Sequence, residues 1–474
     1  MVTTGPAARR VVGIETEYGL VARRTDVGRG SRLSGGEAAQ SLFAPVEREH
    51  ASSNVFLRNG GRLYLDVGSH PEYATPECAS VDDLLIHERA GDEMLVRLAR
   101  RAEAVAADEG QPVEIRLFKN NVDSHGNSYG CHENYCIDRS RDLPALAAAL
   151  TPFLVTRQVL CGTGRWTPDG FSISQRAEVL HDELSSMTTR ARPLINTRDE
   201  PLADPARFRR LHVISGDSNL SEASALLKVG SLLAVLDALE APTAKSTALS
   251  ALELADVAGA LRAVARDPRA VVTLASGGTI GALDIQREYL ALADGSPIRS
   301  RWERVLDALE SGAEDDLDGE VEWVTKRALL RRYADSRGLS WADRRLAQVD
   351  LAFHELSTAP DGTPHGLYRL LEARRAAIRL TAPESVERAL LSPPPDTRAV
   401  LRGRLIRAAQ AEQRRYSVDW MQFTAHDLPA PGGGRMDRTV MLPDPLAVAD
   451  DAVDALVEQL SGSWSAPGHA GRQG

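Results

Sequence analysis

A chain of 474 residues and 51.3 kDa is long enough to bury a sizeable core and to hold more than one domain. With 43% hydrophobic and 26% charged residues it has an ordinary globular composition, and its net charge of −10 sets it apart from general nucleic-acid binders, which carry a basic surplus. Its cysteines, Cys78, Cys131, Cys136 and Cys161, form no Cys-x-x-Cys pair, and neither a secretory apolar region nor an unbroken bilayer-length span occurs, so a cytoplasmic protein with free thiols is expected.

The first predicted element is a strand over Val11–Leu20. Its even positions, Val12, Ile14, Thr16, Tyr18 and Leu20, make a mostly apolar face, while Glu15 and Glu17 share the other with Gly13 and Gly19. Two carboxylates on an uncrowded strand face are either a solvated sheet edge or hard oxygen ligands of the kind Mg²⁺ takes when it also holds phosphate. Gly28–Gly36 is expected to be a mobile loop. Val55–Arg58, Asn59-Gly60 and the residues from Gly61 onward predict a β-hairpin with a type I′ turn, because Asn-Gly accepts positive φ angles. In its second strand Arg62, Tyr64 and Asp66 fall on one face, and Leu63, Leu65 and Val67 on the other. A cation, a phenol and a carboxylate over an apolar backing suit a site for charged substrates.

Ser80-Val-Asp-Asp83 marks a helix start, with Leu95, Leu98, Ala102 and Val105 at helical spacing. Val113, Ile115 and Leu117 alternate as a strand. Another strand, Ser128–Ile137, puts His132 and Asn134 on one face and Glu133 on the other, a pattern that is either structural or ligating. Arg198, within Ile195–Pro201, either grips a phosphate or carboxylate or closes a loop ion pair, and Arg209, Arg210 and His212 carry the same two readings. Helical patterns dominate from Asn219, which is placed to cap a buried helix over Ala223–Leu239. An amphipathic helix over Leu249–Ala265 and two surface helices within Ile298–Arg337 follow.

The run Ser392-Pro393-Pro394-Pro395-Asp396 interrupts the helical region. It divides an expected first domain, residues 1–396, from a small C-terminal one, residues 397–474. The second comprises a basic helix over Thr397–Arg415, a strand over Tyr416–Phe423, a loop over Pro429–Gly434, a strand over Arg438–Leu442, a last helix and a disordered tail at 462–474. Basic runs such as Arg402–Arg415 read either as solvated helix faces or as the lining of a groove for an acidic partner. Gly277–Gly281 lacks the lysine of a phosphate-cradling loop, and neither a Ser-His-Asp order nor zinc spacing stands out. Carboxylates, arginines and one strand-borne aspartate fit metal-dependent phosphoryl transfer to a carboxylate better than a serine or cysteine nucleophile.

Gly13-Ile-Glu-Thr-Glu-Tyr-Gly19, Ser53-Asn-Val-Phe-Leu-Arg-Asn-Gly60, Arg62–Cys78, Phe118-Lys-Asn-Asn121, Ile195–Pro201 and Arg210-Leu-His-Val213 together resemble the Pup ligase and Pup deamidase family. That family sits in a carboxylate–amine ligase group related to glutamine synthetase. The resemblance implies an α+β fold: a glutamine-synthetase-like concave antiparallel sheet packed with helices, cradling ATP and Mg²⁺, with a small C-terminal domain that contributes to the nucleotide site. It implies that ATP phosphorylates the γ-carboxylate of the C-terminal glutamate of Pup, a small acidic modifier. A lysine of a target protein then forms an isopeptide bond, marking the target for the bacterial proteasome. By the same resemblance Asp66 is the catalytic base, Glu15, Tyr64 and Glu72 hold Mg²⁺, and Arg62, Thr75 and Trp420 contact ATP. Glu17 is then a further metal or supporting carboxylate. The implied partners are Pup and lysine-bearing proteins, with no nucleic acid and no membrane.

The short Leu20–Ser53 connection, Ile14 and Thr16 in the first motif, and the Leu65–Gly68 and Gly130–His132 segments favour the ligase branch over the deamidase or depupylase branch of the same fold. The extra N-terminal residues, the Gly28–Gly36 loop and the Pro429–Gly434 insertion depart from the usual ligase pattern. Four lysines, Lys119, Lys228, Lys245 and Lys326, stand against 52 arginines. Genome composition accounts for that most simply, and in a lysine-modifying enzyme it would also limit self-modification.

Overall fold

Strand alternation sorts much of the chain into an apolar and a charged face, and the fold keeps them on opposite sides of one sheet. The computed structural model describes residues 10–26, 31–66, 68–123, 126–180, 182–185 (backbone alone), 193–241, 249–430 and 433–461. Eight strands are ordered Asp182–Ser185, Pro193–Asn196, Phe208–Val213, Cys131–Asp138, Val12–Glu17, Pro71–Ala74, Arg62–Leu65 and Asn54–Phe56. All neighbours are antiparallel except the first pair, which is parallel and lies at one edge.

The strand expected over Val11–Leu20 is in fact two. Val12–Glu17 runs through the middle of the sheet, and Gly19–Arg24 leaves it to pair with Val113–Phe118. The break falls at Tyr18, whose N–H donates to Pro71 O at 2.9 Å and whose buried hydroxyl donates to Asp92 at 2.8 Å. On the apolar face Val12, Ile14, Tyr135, Ile137, Leu211 and Val213 share a core with the helices Leu143–Thr156 and Glu222–Glu240. Leu63 and Tyr73 join a second core with Gly35–His50 and Val81–Asp108. That last helix approaches the sheet closely: a Cβ added at Gly91 would lie 2.2 Å from the Tyr73 ring. Gly91→Ala is therefore expected to cost about 1–3 kcal/mol through overpacking, read as a lowered thermal midpoint.

The hairpin forms as expected, with Phe56 opposite Arg62 and Asn54 opposite Tyr64, but its turn differs. Leu57 N donates to Gly61 O at 2.8 Å and Gly60 N to Leu57 O at 2.9 Å. Gly60 alone of the turn residues has a positive φ, 82°, so this is a three-residue turn with a glycine bulge and not a type I′ turn. Asn59 is thereby freed to point inward. Fully buried, it donates to the Tyr73 hydroxyl at 3.1 Å and Ala389 O at 2.9 Å, and accepts from Gly61 N at 3.0 Å.

Further along, Ser221 and not Asn219 caps the buried helix, accepting from Ser224 N at 3.2 Å. The amphipathic stretch becomes a short 3₁₀ turn, Ser250–Leu252, and a helix, Val257–Arg266, started by Asp256. Of the two helices expected on the surface, Arg299–Ser311 buries Trp302, and Glu322–Arg337 begins in the core with Glu322, Trp323 and Lys326 at 0% exposure. Among the described residues no helix is long and apolar enough to cross a membrane.

The C-terminal unit packs helices Ala399–Ala411 and Asp451–Leu460 on a three-stranded sheet, Tyr416–Val418, Gln422–Pro429 and Arg435–Met441. Leu401, Leu405, Phe423, Val440 and Leu456 form its own core, joined by Phe56 from the hairpin. The single strand expected over Tyr416–Phe423 is interrupted because the Asp419 carboxylate accepts from Met421 N at 2.7 Å and Gln422 N at 2.9 Å. That turn carries Trp420. The expected tail at 462–474 lies outside the described residues, as do residues 27–30 and 431–432 of the two expected loops.

Lys119, Lys228 and Lys326 are 2%, 0% and 0% exposed. Lys119 pairs with Glu88 and Asp92, each at 3.1 Å, Lys228 donates to Asp217 O at 2.8 Å, and Lys326 pairs with Asp350 at 2.8 Å. Lys245 lies outside the described residues.

Candidate active site

Register assembles the charged face row by row, since residues directly opposite on neighbouring strands project from the same side. Tyr64 faces Glu72, which faces Glu17. In the next row Arg62, Ala74, Glu15 and His132 align. Gly13, Asn134 and His212 form the third. Small residues at 13 and 74 keep the middle of the face open.

Two groups of ligand atoms result. One oxygen each of Glu17, Asp66 and Glu72 lies within 4.8 Å of the others, with Asp66 the most open of the three. The Tyr64 hydroxyl donates to Glu72 at 2.5 Å. Burial first, then the charges of Glu15, Glu17 and Asp66, push the Glu72 carboxyl well above the usual carboxylate range. Burial, then Glu15 and Glu72, also push the Tyr64 phenol up, so it stays neutral. Like charges held this close are relieved by a divalent cation.

The second group is Glu15, His132 and His212, whose ligand atoms again lie within 4.8 Å of one another. Glu15 sits 3.3 Å from His132 Nδ1, accepts from Asn134 Nδ2 at 3.1 Å and lies 3.8 Å from Arg210. Burial acts to raise the Glu15 pKa, but the His132 hydrogen bond, the positive charge that His212 takes on only in the acid range, and the charges of His132 and Arg210 outweigh it and hold the carboxyl at about 2. His212 is 6% exposed, and neither ring nitrogen has a hydrogen-bond partner. Burial, then the neighbouring His132, lower its pKa to about 3, so at neutral pH the ring is uncharged with a lone pair to give. A buried imidazole without partners fits a metal position, because a cation would take up an otherwise orphaned nitrogen.

Asp66 stands where its strand ends. Its N–H donates to His70 O at 3.0 Å and its carbonyl accepts from Ser69 N at 3.1 Å, a tight loop that places Gly68 and Ser69 at φ of 105° and 64°. Arg62 lies along the face, its guanidinium 4.3 Å from the Tyr64 ring centroid and its Nε donating to Asn54 at 2.8 Å. A cleft of about 560 Å³ opens beside Glu15, lined by Gly13, Thr75, Leu202, Arg398 and Trp420. Thr75 is buried and accepts from Ile14 N at 3.1 Å. Arg62 and Trp420 also border a wider groove of about 2150 Å³.

Glu15, Tyr64, Asp66 and Glu72 are thus brought together, with Arg62 alongside, and Thr75 and Trp420 line the same cleft as Glu15. Arg210 closes the loop ion pair with Glu200 at 3.1 Å and also donates to Asn134 at 2.9 Å on the site face. Arg198 pairs with Glu200 at 3.6 Å on the surface. The joining of His132 and His212 to Glu15 had no local signal beyond strand alternation, since it depends on two long-range registers.

A family model described as Pup-ligase protein matches residues 10–424. A Pup–protein ligase of Mycolicibacterium vanbaalenii is 45% identical over 469 residues, covering 95% of this chain and 100% of that one. One of Kribbella flavida is 46% identical over 471 residues, with the same coverage. Among solved structures, a complex between the prokaryotic ubiquitin-like protein Pup and its ligase PafA is similar with a TM-score of 0.85 and 39% identity, over 96% of this chain and 93% of that chain. The Pup ligase PafA in complex with ADP is similar with a TM-score of 0.79 and 40% identity, over 91% and 94%. The family match, the relatives' identity and the fold agree along nearly the whole sequence, and the chain belongs to the Pup-ligase family.

Proposed function

We propose that this protein uses ATP to activate the γ-carboxylate of the C-terminal glutamate of Pup and joins it to lysine side chains of target proteins. The observation that carries this reading is the convergence of Glu15, Glu17, Asp66 and Glu72 on one sheet face beside the cleft that Trp420 lines. Relatives named as Pup–protein ligases, and a solved relative holding ADP, support the same chemistry.

Glu15 and Glu72 would hold Mg²⁺, with the Tyr64 hydroxyl and Glu17 beside them. Glu15, His132 and His212 offer a second cation position. Bound Mg²⁺ supplies charge neutralisation at the phosphates and orients the phosphoryl group. Thr75, Trp420 and Arg62 would contact the nucleotide, with Arg62 supplying positive charge toward it. A carboxylate is a poor acyl donor until phosphate replaces oxide as leaving group. Asp66 takes the proton from the incoming ammonium, the amine nitrogen bonds to the carbonyl carbon of the γ-acyl phosphate, and that carbon's bond to the phosphate oxygen breaks with its electron pair on the departing phosphate. In this reading residues 1–396 form the catalytic unit and residues 397–474 the C-terminal one, a division supported by the latter's core, which Phe56 alone of the first unit's described buried residues joins. The protein works in the cytoplasm.

The test combines purified protein, ATP, Mg²⁺, Pup ending in glutamate and a lysine-bearing target, read on a gel. An ATP-dependent conjugate band is expected. Its absence, with deamidation of Pup ending in glutamine, would assign the chain to the deamidase branch instead.

A further inference from the structure

The run Arg402–Arg415 has the look of a solvated helix face, yet Arg402 is 0% and Arg398 2% exposed. Both guanidiniums close on one carboxylate. Arg398 Nε donates to Glu77 Oε1 at 2.8 Å, Arg402 donates to the same oxygen at 3.1 Å, and a second Arg402 nitrogen donates to Glu77 Oε2. A buried ion group adds little stability over a well-packed apolar one, so what it fixes in place matters more.

It fixes three walls of the cleft. Glu77 stands two residues beyond Thr75 on the sheet side. Arg398 donates to Leu202 O, on a second wall, and to Leu442 O at 2.7 Å. Arg402 donates to Trp420 O at 3.1 Å, lies 4.9 Å from the indole centroid, and donates to Gly60 O at 2.8 Å. The turn can come this close because residue 60 is glycine, where a Cβ would lie 2.8 Å from Ala399 Cβ.

We propose that Arg402 is a positioning residue: bound to Glu77, it ties Trp420 to the Thr75 wall and sets the gap in which the nucleotide base is held. This rests on the proposed role of Trp420 as a nucleotide contact. Arg402 acts through the indole. A lysine keeps the charge, but its donors all sit on one nitrogen, which cannot span Glu77, Gly60 and Trp420 as the two Arg402 nitrogens do.

The test is a double-mutant cycle on the full chain, with ADP binding followed by calorimetry in wild type, R402K, W420A and the double variant. R402K is expected to weaken ADP binding by about 5–10-fold, and by less than about 2-fold once Trp420 is gone, with the KM for Pup unchanged. R402K binding ADP like wild type, or losing as much in the W420A background, would overturn the proposal. W420A binding ADP like wild type would instead remove Trp420 from the nucleotide site and so refute the underlying reading. Should R402K fail to fold, R402Q enters the same cycle with the same expectations, because its shorter amide keeps a polar head but cannot span Glu77, Gly60 and Trp420.

Discussion

Asp66→Asn is expected to slow conjugation by about 10²-fold or more while ATP and Pup still bind. The amide keeps the volume of the side chain but takes up no proton at neutral pH. Asp66 is the member of its acid trio with room beside it, at the open end of the Arg62–Leu65 strand, whereas Glu17 and Glu72 are buried. Glu15 and Glu72, the residues read as holding Mg²⁺, keep their carboxylates in this variant, so nucleotide binding should be largely retained. Single-turnover conjugation on a gel, paired with calorimetric nucleotide binding, separates the two effects. Wild-type turnover in the variant would remove Asp66 from the mechanism. A fall in nucleotide affinity matching the fall in rate would make it a metal ligand.

Glu15→Ala should weaken binding of ATP in the presence of Mg²⁺ by at least about 10-fold, on the scale of lost metal-site contacts. Glu15 stands between the two groups of ligand atoms. Its oxygen belongs with His132 and His212, while its charge acts on Tyr64 and Glu72. Calorimetry with and without Mg²⁺ gives the answer: the loss should appear with the metal and be small without it. The variant also strands Asn134 Nδ2, so a thermal midpoint is needed to show that the fold survives. Unchanged affinity with Mg²⁺ would place the phosphates away from this strand.

Much of the site's composition is legible in the sequence. Alternation in a strand has a period of two, so spacing alone puts Glu15 with Glu17, Arg62 with Tyr64, and His132 with Asn134 on common faces. What alternation cannot supply is register. Tyr64 meets Glu72 and Glu17, and Glu15 meets His132, through pairings between separate segments of the chain. His212 carries no sign of its role in Arg210–Val213, because its unsatisfied nitrogens exist only once burial is known. The roles of Asp66, Thr75 and Trp420 come from family resemblance.

Local chemistry misleads in specific ways. Asn59-Gly60 promises two positive φ angles, but tertiary contacts to Tyr73 and Ala389 draw Asn59 inward and leave the bulge to Gly60. The helix start at Glu222 takes Ser221 over Asn219 because Asn219 is committed to Cys161 O and Glu322. The charged run near Arg402 looks solvated because a sequence does not show that Glu77 waits opposite.

The lysines settled in the interior bear on which amines the reaction can meet. An acyl phosphate held on the enzyme faces groups of its own chain at effective concentrations in the millimolar range, far above those of a dilute target. Among the described residues every lysine nitrogen is buried and engaged, while the surface cations are arginines. A guanidinium stays protonated throughout the physiological range and yields no neutral nucleophile. On the described surface, positive charge and nucleophilicity are therefore uncoupled: the enzyme can attract an acidic partner with groups that are chemically inert toward the activated carboxyl.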